Sequence, residues 1–326
     1  MSIAIVGEAL IDFIAADADT YRPHLGGSPF NVAIGLARQG MDVSYLSPLS
    51  NDRFGDQLLE ALQREGVKAI NPRRSPWPTS LALVTVAADG APSYRLYREG
   101  IADKDTTFEG LRDLLPDALR VFHTGSLAIT PSQLPKLRQL FAVLRERGAL
   151  ISIDINIRLG ASVDTEAYLA GVRSLFSWCD VIKASDQDLE AMQLAATPRE
   201  AAAKVHEEMA DGGIVVLTEG SGGSLLIDAQ GQLECPAYAV AQVEDTVGAG
   251  DTFHSAFLAG LVRADAIRNG KVHLAREALA DLLDTACAAA AINVTRRGCS
   301  PPTAQEVARL RAQARPTRGS TAPQKN

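Results

Sequence analysis

Cysteine is scarce in this 326-residue chain and scattered: Cys179, Cys235, Cys287 and Cys299 form no Cys-x-x-Cys pair. That removes the usual zinc spacing, and a disulfide framework would be an odd solution at this length. Reduced, buried thiols in a cytoplasmic protein fit better. Long apolar runs are missing too, since none reaches the roughly 20 residues of a membrane span. The apolar start at residues 2–6 has no basic segment before it and meets Glu8 and Asp12 at once, so no signal peptide is predicted. Positive charge is not in excess. A net charge of −7 argues against a general nucleic-acid or anionic-membrane surface, although a local basic pocket remains compatible with it. Two nucleotide fingerprints are absent as well. No Gly-x-x-x-x-Gly-Lys-Ser/Thr occurs, which leaves a P-loop NTPase unsupported. The stretch Gly7-Glu8-Ala9-Leu10-Ile11-Asp12 lacks the dinucleotide glycine spacing, which counts against hydride transfer.

What is present is an ordinary globular composition, 46% hydrophobic and 22% charged, long enough for a large core with a smaller appended element. Strand and helix patterns alternate. Residues 3–6, 43–46, 121–123, 150–153, 181–183 and 214–218 read as buried strands. Residues 31–39, 58–65 and 134–147 read as helices stopped by Gly40, Gly66 and Gly148. The pattern predicts an α/β fold with a mostly parallel central sheet flanked by helices. Residues 274–294 are alanine-rich and helical in propensity. The boundary is expected near 313, with 314–326 a mobile tail poor in apolar residues. One region departs from alternation: residues 81–86 and 93–98 are strand-like and flank Asp89-Gly90, a hairpin signal. Together, segments of about 12–25 and 77–104 are expected to form a small inserted β lid, either over a site, against a second copy as a homodimer contact, or as plain decoration.

The most informative stretch is Asp245-Thr246-Val247-Gly248-Ala249-Gly250-Asp251. It reads as an extended segment, a glycine turn and the first turn of a helix, where backbone N–H groups and the helix dipole favour an anion. Asp251 adds a carboxylate beside that pocket, so the segment has the two parts that phosphoryl transfer to a hydroxyl requires. A second glycine device, Gly26-Gly27-Ser28-Pro29-Phe30-Asn31, also leads into a helix. Its glycines allow a ligand near the backbone, and Asn31 can both donate and accept, as a polyhydroxylated ligand would need. Alone it could equally be a capped tight turn.

Together the two segments resemble both signatures of the ribokinase-like carbohydrate kinases, the phosphofructokinase-B family, over residues 1 to about 310. The second signature matches from Asp245 to Leu258; the first matches at Gly26, Gly27, Asn31, Ala33 and Gly40 and departs at Ser50, where glycine is usual. The resemblance implies an ATP-dependent kinase using Mg2+ on a small sugar, with K+ a candidate second ion. Asp251 would be the general base, and Gly248, Ala249 and Gly250 would supply N–H groups to the transferring phosphoryl. Asp12, Gly26, Gly27, Asn31 and Asn156 would contact sugar. Arg158, in Asp154-Ile155-Asn156-Ile157-Arg158, would lie near sugar and γ-phosphate, although Ile155 replaces the usual proline. Lys183, Ser185, Thr218, Gly220, Gly223 and Asn293 would line the nucleotide, with Asp188 holding magnesium through water. Carbonyls of Val247, Asn293, Arg296 and Gly298, with Asp245, would be the potassium candidates. His254, three residues after Asp251, is expected to be a packed histidine.

Which sugar is a separate question. Gly7-Glu8-Ala9-Leu10-Ile11-Asp12-Phe13, Ser93-Tyr94-Arg95-Leu96-Tyr97-Arg98 with Ala102-Asp103, and His123-Thr124-Gly125-Ser126 are similar to bacterial fructokinases. Arg98 could contact hydroxyls or pair with a carboxylate. Fructose therefore leads, with 2-keto-3-deoxygluconate and ribose behind it. A non-catalytic sugar- or nucleotide-binding protein on the same fold is the alternative from another class.

Overall fold

The computed structural model describes residues 2–17, 19–86 and 92–318. In chain order the strands are β1 (Ser2–Ile5), β2 (Leu10–Ala15), β3 (Tyr21–Gly26), β4 (Asp42–Tyr45), β5 (Lys68–Ala69), β6 (Ser80–Val86) and β7 (Pro92–Tyr97). Then come β8 (Leu119–Gly125), β9 (Leu150–Asp154), β10 (Val181–Ser185), β11 (Ile214–Thr218), β12 (Ser224–Asp228) and β13 (Gly231–Cys235). Nine of them form one sheet in the order β13-β12-β11-β10-β9-β8-β1-β4-β5. It is parallel from β11 to β5, with an antiparallel edge at β12 and β13.

Alternation of side chains across the sheet explains its two cores. Ile3 and Ile5 face one hydrophobic cluster, while Ala4 and Val6 face the other. The first cluster is covered by the helices Ser28–Arg38, Ala249–Arg263 and Arg276–Asn293, the second by Leu134–Glu146 and its neighbours. Residues 251–262 are buried without a break, so the helix carrying Asp251 runs through the middle of a core. Buried apolar surface at ~25 cal/mol per Å² makes such a helix a rigid support.

A separate sheet, β3-β2-β6-β7, stands where the lid was expected. Its central pair, β2 and β6, is parallel, and each is flanked by an antiparallel partner. Its small apolar cluster joins Leu10 and Ala82 to Leu127 of the turn after β8, and it exposes Ile14, Tyr21 and Tyr97. The Asp89-Gly90 turn lies outside the described residues. At the foot of this sheet, the carboxylate of Asp52 accepts hydrogen bonds from Gly55 N, Thr79 N and Thr79 Oγ1, capping the helix Arg53–Arg64 while tying down the start of β6. Ser50 is buried and its hydroxyl accepts from Asp52 N at 3.1 Å, so the serine that departs from the family pattern supplies a bond to this turn.

Two boundaries differ from the sequence expectation. The helix expected at 31–39 is Ser28–Arg38, because Gly27 caps it and Pro29 sits in its first turn. The last helix, Ala304–Arg318, runs past the boundary expected at 313 and is anchored by Val307 and Leu310, which pack on the first core. Residues 319–326 of the expected tail lie outside the described residues. Among the described residues no helix is long and apolar enough to cross a membrane.

Candidate active site

The two glycine devices meet. Gly248 is left-handed, φ 73°, and a Cβ there would come within 2.2 Å of Cys299 Sγ, so the turn admits only glycine. A Cβ on Gly250 would lie 2.7 Å from Lys183 Nζ, which sets an ammonium against the turn that starts the helix Ala249–Arg263. In that first turn Asp251 is 8% exposed. Its Oδ1 accepts from Ser28 Oγ at 2.6 Å and its Oδ2 from Asn31 Nδ2 at 2.8 Å. Burial pushes this carboxyl above its usual range, while the bonds from Ser28 and Asn31, with the charges of Lys183 and Arg158, pull the other way. The result is a fixed, desolvated carboxylate beside converging backbone N–H groups.

Asp12, on β2, lies within electrostatic reach of Asp251. Gly26 pairs with Leu10 across β2 and β3, and a Cβ on it would fall 2.3 Å from Asp12 Oδ2. Burial raises the Asp12 carboxyl to about 6, with the charge of Asp251 adding to this and Arg158 opposing it. Arg158 thus lies within electrostatic reach of both carboxylates. Its own Nη1 donates to the Ile157 carbonyl at 3.0 Å, and its backbone N–H to Tyr168 Oη at 3.3 Å. Asn156 is left-handed, φ 38°, which turns the chain between Asp154 and Arg158. Ile155 is fully buried in the second core, so the residue replacing proline anchors the loop by packing.

Lys183 pairs with Asp154 at 3.0 Å, both side chains at least 95% buried. Burial works against the ammonium, but Asp154, Asp188 and Asp251 outweigh it and hold Lys183 above its usual range. The helix Asp186–Met192 begins with a capping box in which Ser185 and Asp188 bond each other's backbone. Asp188 Oδ2 accepts from Ser185 N and Oγ, and Oδ1 accepts from Ile157 N at 2.7 Å. Asp188 therefore braces the Asn156–Arg158 loop with both oxygens engaged. Thr218 ends β11, its Oγ1 donating weakly to the Ala184 carbonyl, 3.4 Å away. Gly220 and Gly223 both have positive φ, and a Cβ on Gly223 would meet Cys235 O at 2.2 Å.

The segments 245–248 and 293–300 are laced together. Asp245 accepts from Val247 N and Gly298 N; Asn293 donates to the Val247 carbonyl and accepts from Thr252 Oγ1 and Ser300 N. Arg296 is drawn off to the Ser300 carbonyl and Glu306. Among the described residues there is no group of three or more His, Cys, Asp or Glu side chains able to hold a metal.

Several residues that matter here escaped sequence reading. Ser28, which donates to Asp251, sits in the motif between its glycines and a proline, a position that marks it only as turn-forming. Glu8 is buried, accepts from Ser28 N at 3.3 Å through Oε1 and leaves Oε2 without a partner. Burial lifts its carboxyl to about 7, against the pull of Arg98. Arg98 does not open into solvent: its guanidinium donates to Ser80 Oγ at 2.8 Å and to Asp103 at 2.9 and 3.3 Å. His254 is packed as expected, its Nε2 2.7 Å from Ser152 Oγ, with the His123 ring tilted against it at a centroid distance of 4.9 Å. Burial keeps both imidazoles neutral, His123 down to about 3.

A buried carboxylate at a glycine-led helix start, with Asp12 and Arg158 within its electrostatic reach, suits transfer of a phosphoryl group to an alcohol. A family model described as pfkB family carbohydrate kinase matches residues 1–306, and the chain belongs to that family. Relatives include a fructokinase of Rhizobium leguminosarum bv. trifolii, 32% identical over 79% of each chain, and fructokinase-2 of Solanum habrochaites, 33% identical over 94% of this chain and 95% of that one. Among solved structures, fructokinase with bound ATP from Xylella fastidiosa superposes with a TM-score of 0.84 at 27% identity, covering 96% of this chain and 99% of that chain.

Proposed function

We propose that this carbohydrate kinase transfers the γ-phosphoryl group of ATP to a primary hydroxyl of fructose, giving fructose 6-phosphate. The observation that carries the chemistry is Asp251, buried at a helix start and held by Ser28 and Asn31. ATP supplies the phosphoryl group, and Mg2+ neutralises phosphate charge when bound. Asp251 takes the proton of the acceptor hydroxyl as its oxygen attacks phosphorus. The N–H groups at Gly248 and Gly250, with Lys183 beneath them, receive the charge on the phosphoryl oxygens, joined by Ala249 N–H once it leaves the Thr246 carbonyl it meets at 3.2 Å. Arg158 reaches the same space from the opposite loop. Asp12, Gly26, Gly27, Asn31 and Asn156 hold the sugar hydroxyls, and Thr218, Gly220, Gly223, Ser185 and Asn293 line the nucleotide.

The residues present fit this use: a Cβ has no room at Gly248 or Gly250, and the adjoining cation is Lys183. Asp188 fits a hydrated magnesium only indirectly, because Oδ1 already braces the Arg158 loop and Oδ2 is held by Ser185. A monovalent cation would be held by carbonyls of the laced segments around Asp245, Val247, Asn293, Arg296 and Gly298. Exposed Ile14, Tyr21 and Tyr97 make the lid sheet the face on which two copies would pair, and reduced thiols suit a cytoplasmic enzyme.

The test is ATP consumption with Mg2+, with and without K+, across ketoses, aldoses and keto-sugar acids. Turnover should be greatest with fructose. No turnover with any acceptor would sink the kinase reading, and a strong preference for another sugar would sink the fructose assignment.

A further inference from the structure

Asp103 engages Arg98, a lid-root cation whose planar fork could otherwise receive a ligand carboxylate. Arg98 closes β7, and Asp103 follows five residues later in a short turn. Their side chains are 8% and 5% exposed and meet through two N–H···O contacts, with Ser80 Oγ taking a further donor. Such a fork-to-fork pair uses the geometry with which arginine would otherwise grip a carboxylate. Glu8 lies on the same side: it lines, with Gly7, Arg98, Asp103 and Leu127, a cavity of about 20 Å³, large enough for little more than one water. Through Ser28, Glu8 is also two contacts from Asp251.

The charges around the cleft therefore do not suit an anionic acceptor. Asp12 and Asp251 face it directly, and Glu8 and Asp103 stand just behind. Against them, Lys183 is matched by Asp154 and Arg98 by Asp103, Lys104 and Lys136 of the same cavity are turned to the Arg98 and Thr106 carbonyls, and Arg158 serves both Asp12 and Asp251. A sugar acid would bring another negative charge into this partly desolvated group, where like charges repel strongly.

We propose that Asp103 is a specificity-determining residue that, by sequestering Arg98, restricts the acceptor to neutral sugars and excludes sugar acids. The inference rests on the sugar-kinase reading and narrows its substrate class. It separates fructose from 2-keto-3-deoxygluconate on residues that lie outside the catalytic motif.

The experiment compares kcat/KM for fructose and 2-keto-3-deoxygluconate in the wild type, in Asp103→Ser and in Asp103→Ser with Arg98→Met. The wild type should favour fructose, and its fructose turnover should be unaffected by millimolar gluconate. Freeing Arg98 should raise the acid-to-fructose ratio at least ten-fold, and removing Arg98 as well should cancel that gain. An unchanged ratio in Asp103→Ser, or a gain that survives Arg98→Met, would overturn the assignment. Should the variants not fold, the wild type alone decides: acid turnover equal to that of fructose, or strong competition by gluconate, rejects the proposal. Failure of the kinase reading looks different, since it would show as no turnover with either acceptor.

Discussion

The floor of the cleft and the lid above it are built in opposite ways. The floor is deep in protein. Its helix is buried from 251 to 262, its glycines touch Cys299 and Lys183, and side chains of Asp245 and Asn293 hold the neighbouring backbone. The lid is one thin sheet whose small apolar cluster joins Leu10 and Ala82 to Leu127 of the turn after β8, fastened at its foot by Asp52–Thr79 and Arg98–Asp103. On the proposed function, chemistry would rest on the packed floor, while acceptor choice and water exclusion would rest on the more thinly packed sheet. Segments with few buried contacts are those that open at low cost, as a lid must.

The sharpest way to break this division is Asp251→Asn. The amide keeps shape and can still meet Asn31, but it cannot take a proton. We expect kcat to fall about 10³-fold, with ATP binding by calorimetry little changed. Full activity would remove Asp251 as the base and with it the catalytic meaning of the floor. Replacing the lid hairpin (residues 82–96) with a short Gly-Ser linker tests the other side. The sugar KM should rise roughly ten-fold, or ATP should be hydrolysed without sugar, because solvent exclusion is lost. Unchanged kinetics would reduce the lid to decoration.

A smaller effect distinguishes support of the base from sugar contact. Ser28→Ala deletes one of two donors to the Asp251 carboxylate. Those bonds favour the charged form, so the base becomes harder to ionise and the acid limb of kcat/KM should move up by about one pH unit, the equivalent of ~1.4 kcal/mol. A fall in rate with no movement of that limb would assign Ser28 to the sugar instead.

The contrast also explains what the sequence made legible. Parallel strands and glycine-ended helices announce themselves through periodicity, and Asp251 through its neighbours, because each depends on residues adjacent in the chain. Gly248 and Gly250 are glycines for contacts 51 and 67 residues away, with Cys299 and Lys183, yet the local motif still flags them. Arg98 was visible, but Asp103 as its partner was not, since a short turn with an acid reads as solvated. Ser28 and Glu8 were hidden for another reason: Ser28 is 223 residues from Asp251, and nothing in a turn sequence says where its hydroxyl points. The edge strands β12 and β13 were missed because they follow a glycine turn with no crossover helix and β13 is mostly exposed.

The gentlest test falls where floor and lid touch, at Glu8. Its carboxyl titrates at about 7 in the folded chain against 4.5 for the ordinary group, so the folded state binds this proton more tightly. The stability it contributes is therefore full below about pH 4.5 and is lost as pH rises through about 7. Glu8→Gln keeps the acceptor for Ser28 N and carries no charge, which removes that loss. At 1.36 kcal/mol per unit, the variant should gain up to about 3 kcal/mol at pH 8 and little near pH 5. In thermal melts that is a rise of several degrees at the higher pH alone. The buried histidines act in the opposite sense, since His123 must stay neutral as the pH falls below about 6.5, but they do so in both proteins and cancel in the difference. A gain of equal size at pH 5 and pH 8 would mean that Glu8 is disfavoured by its shape and not its charge, and the junction between floor and lid would then be a packing contact with no electrostatic coupling.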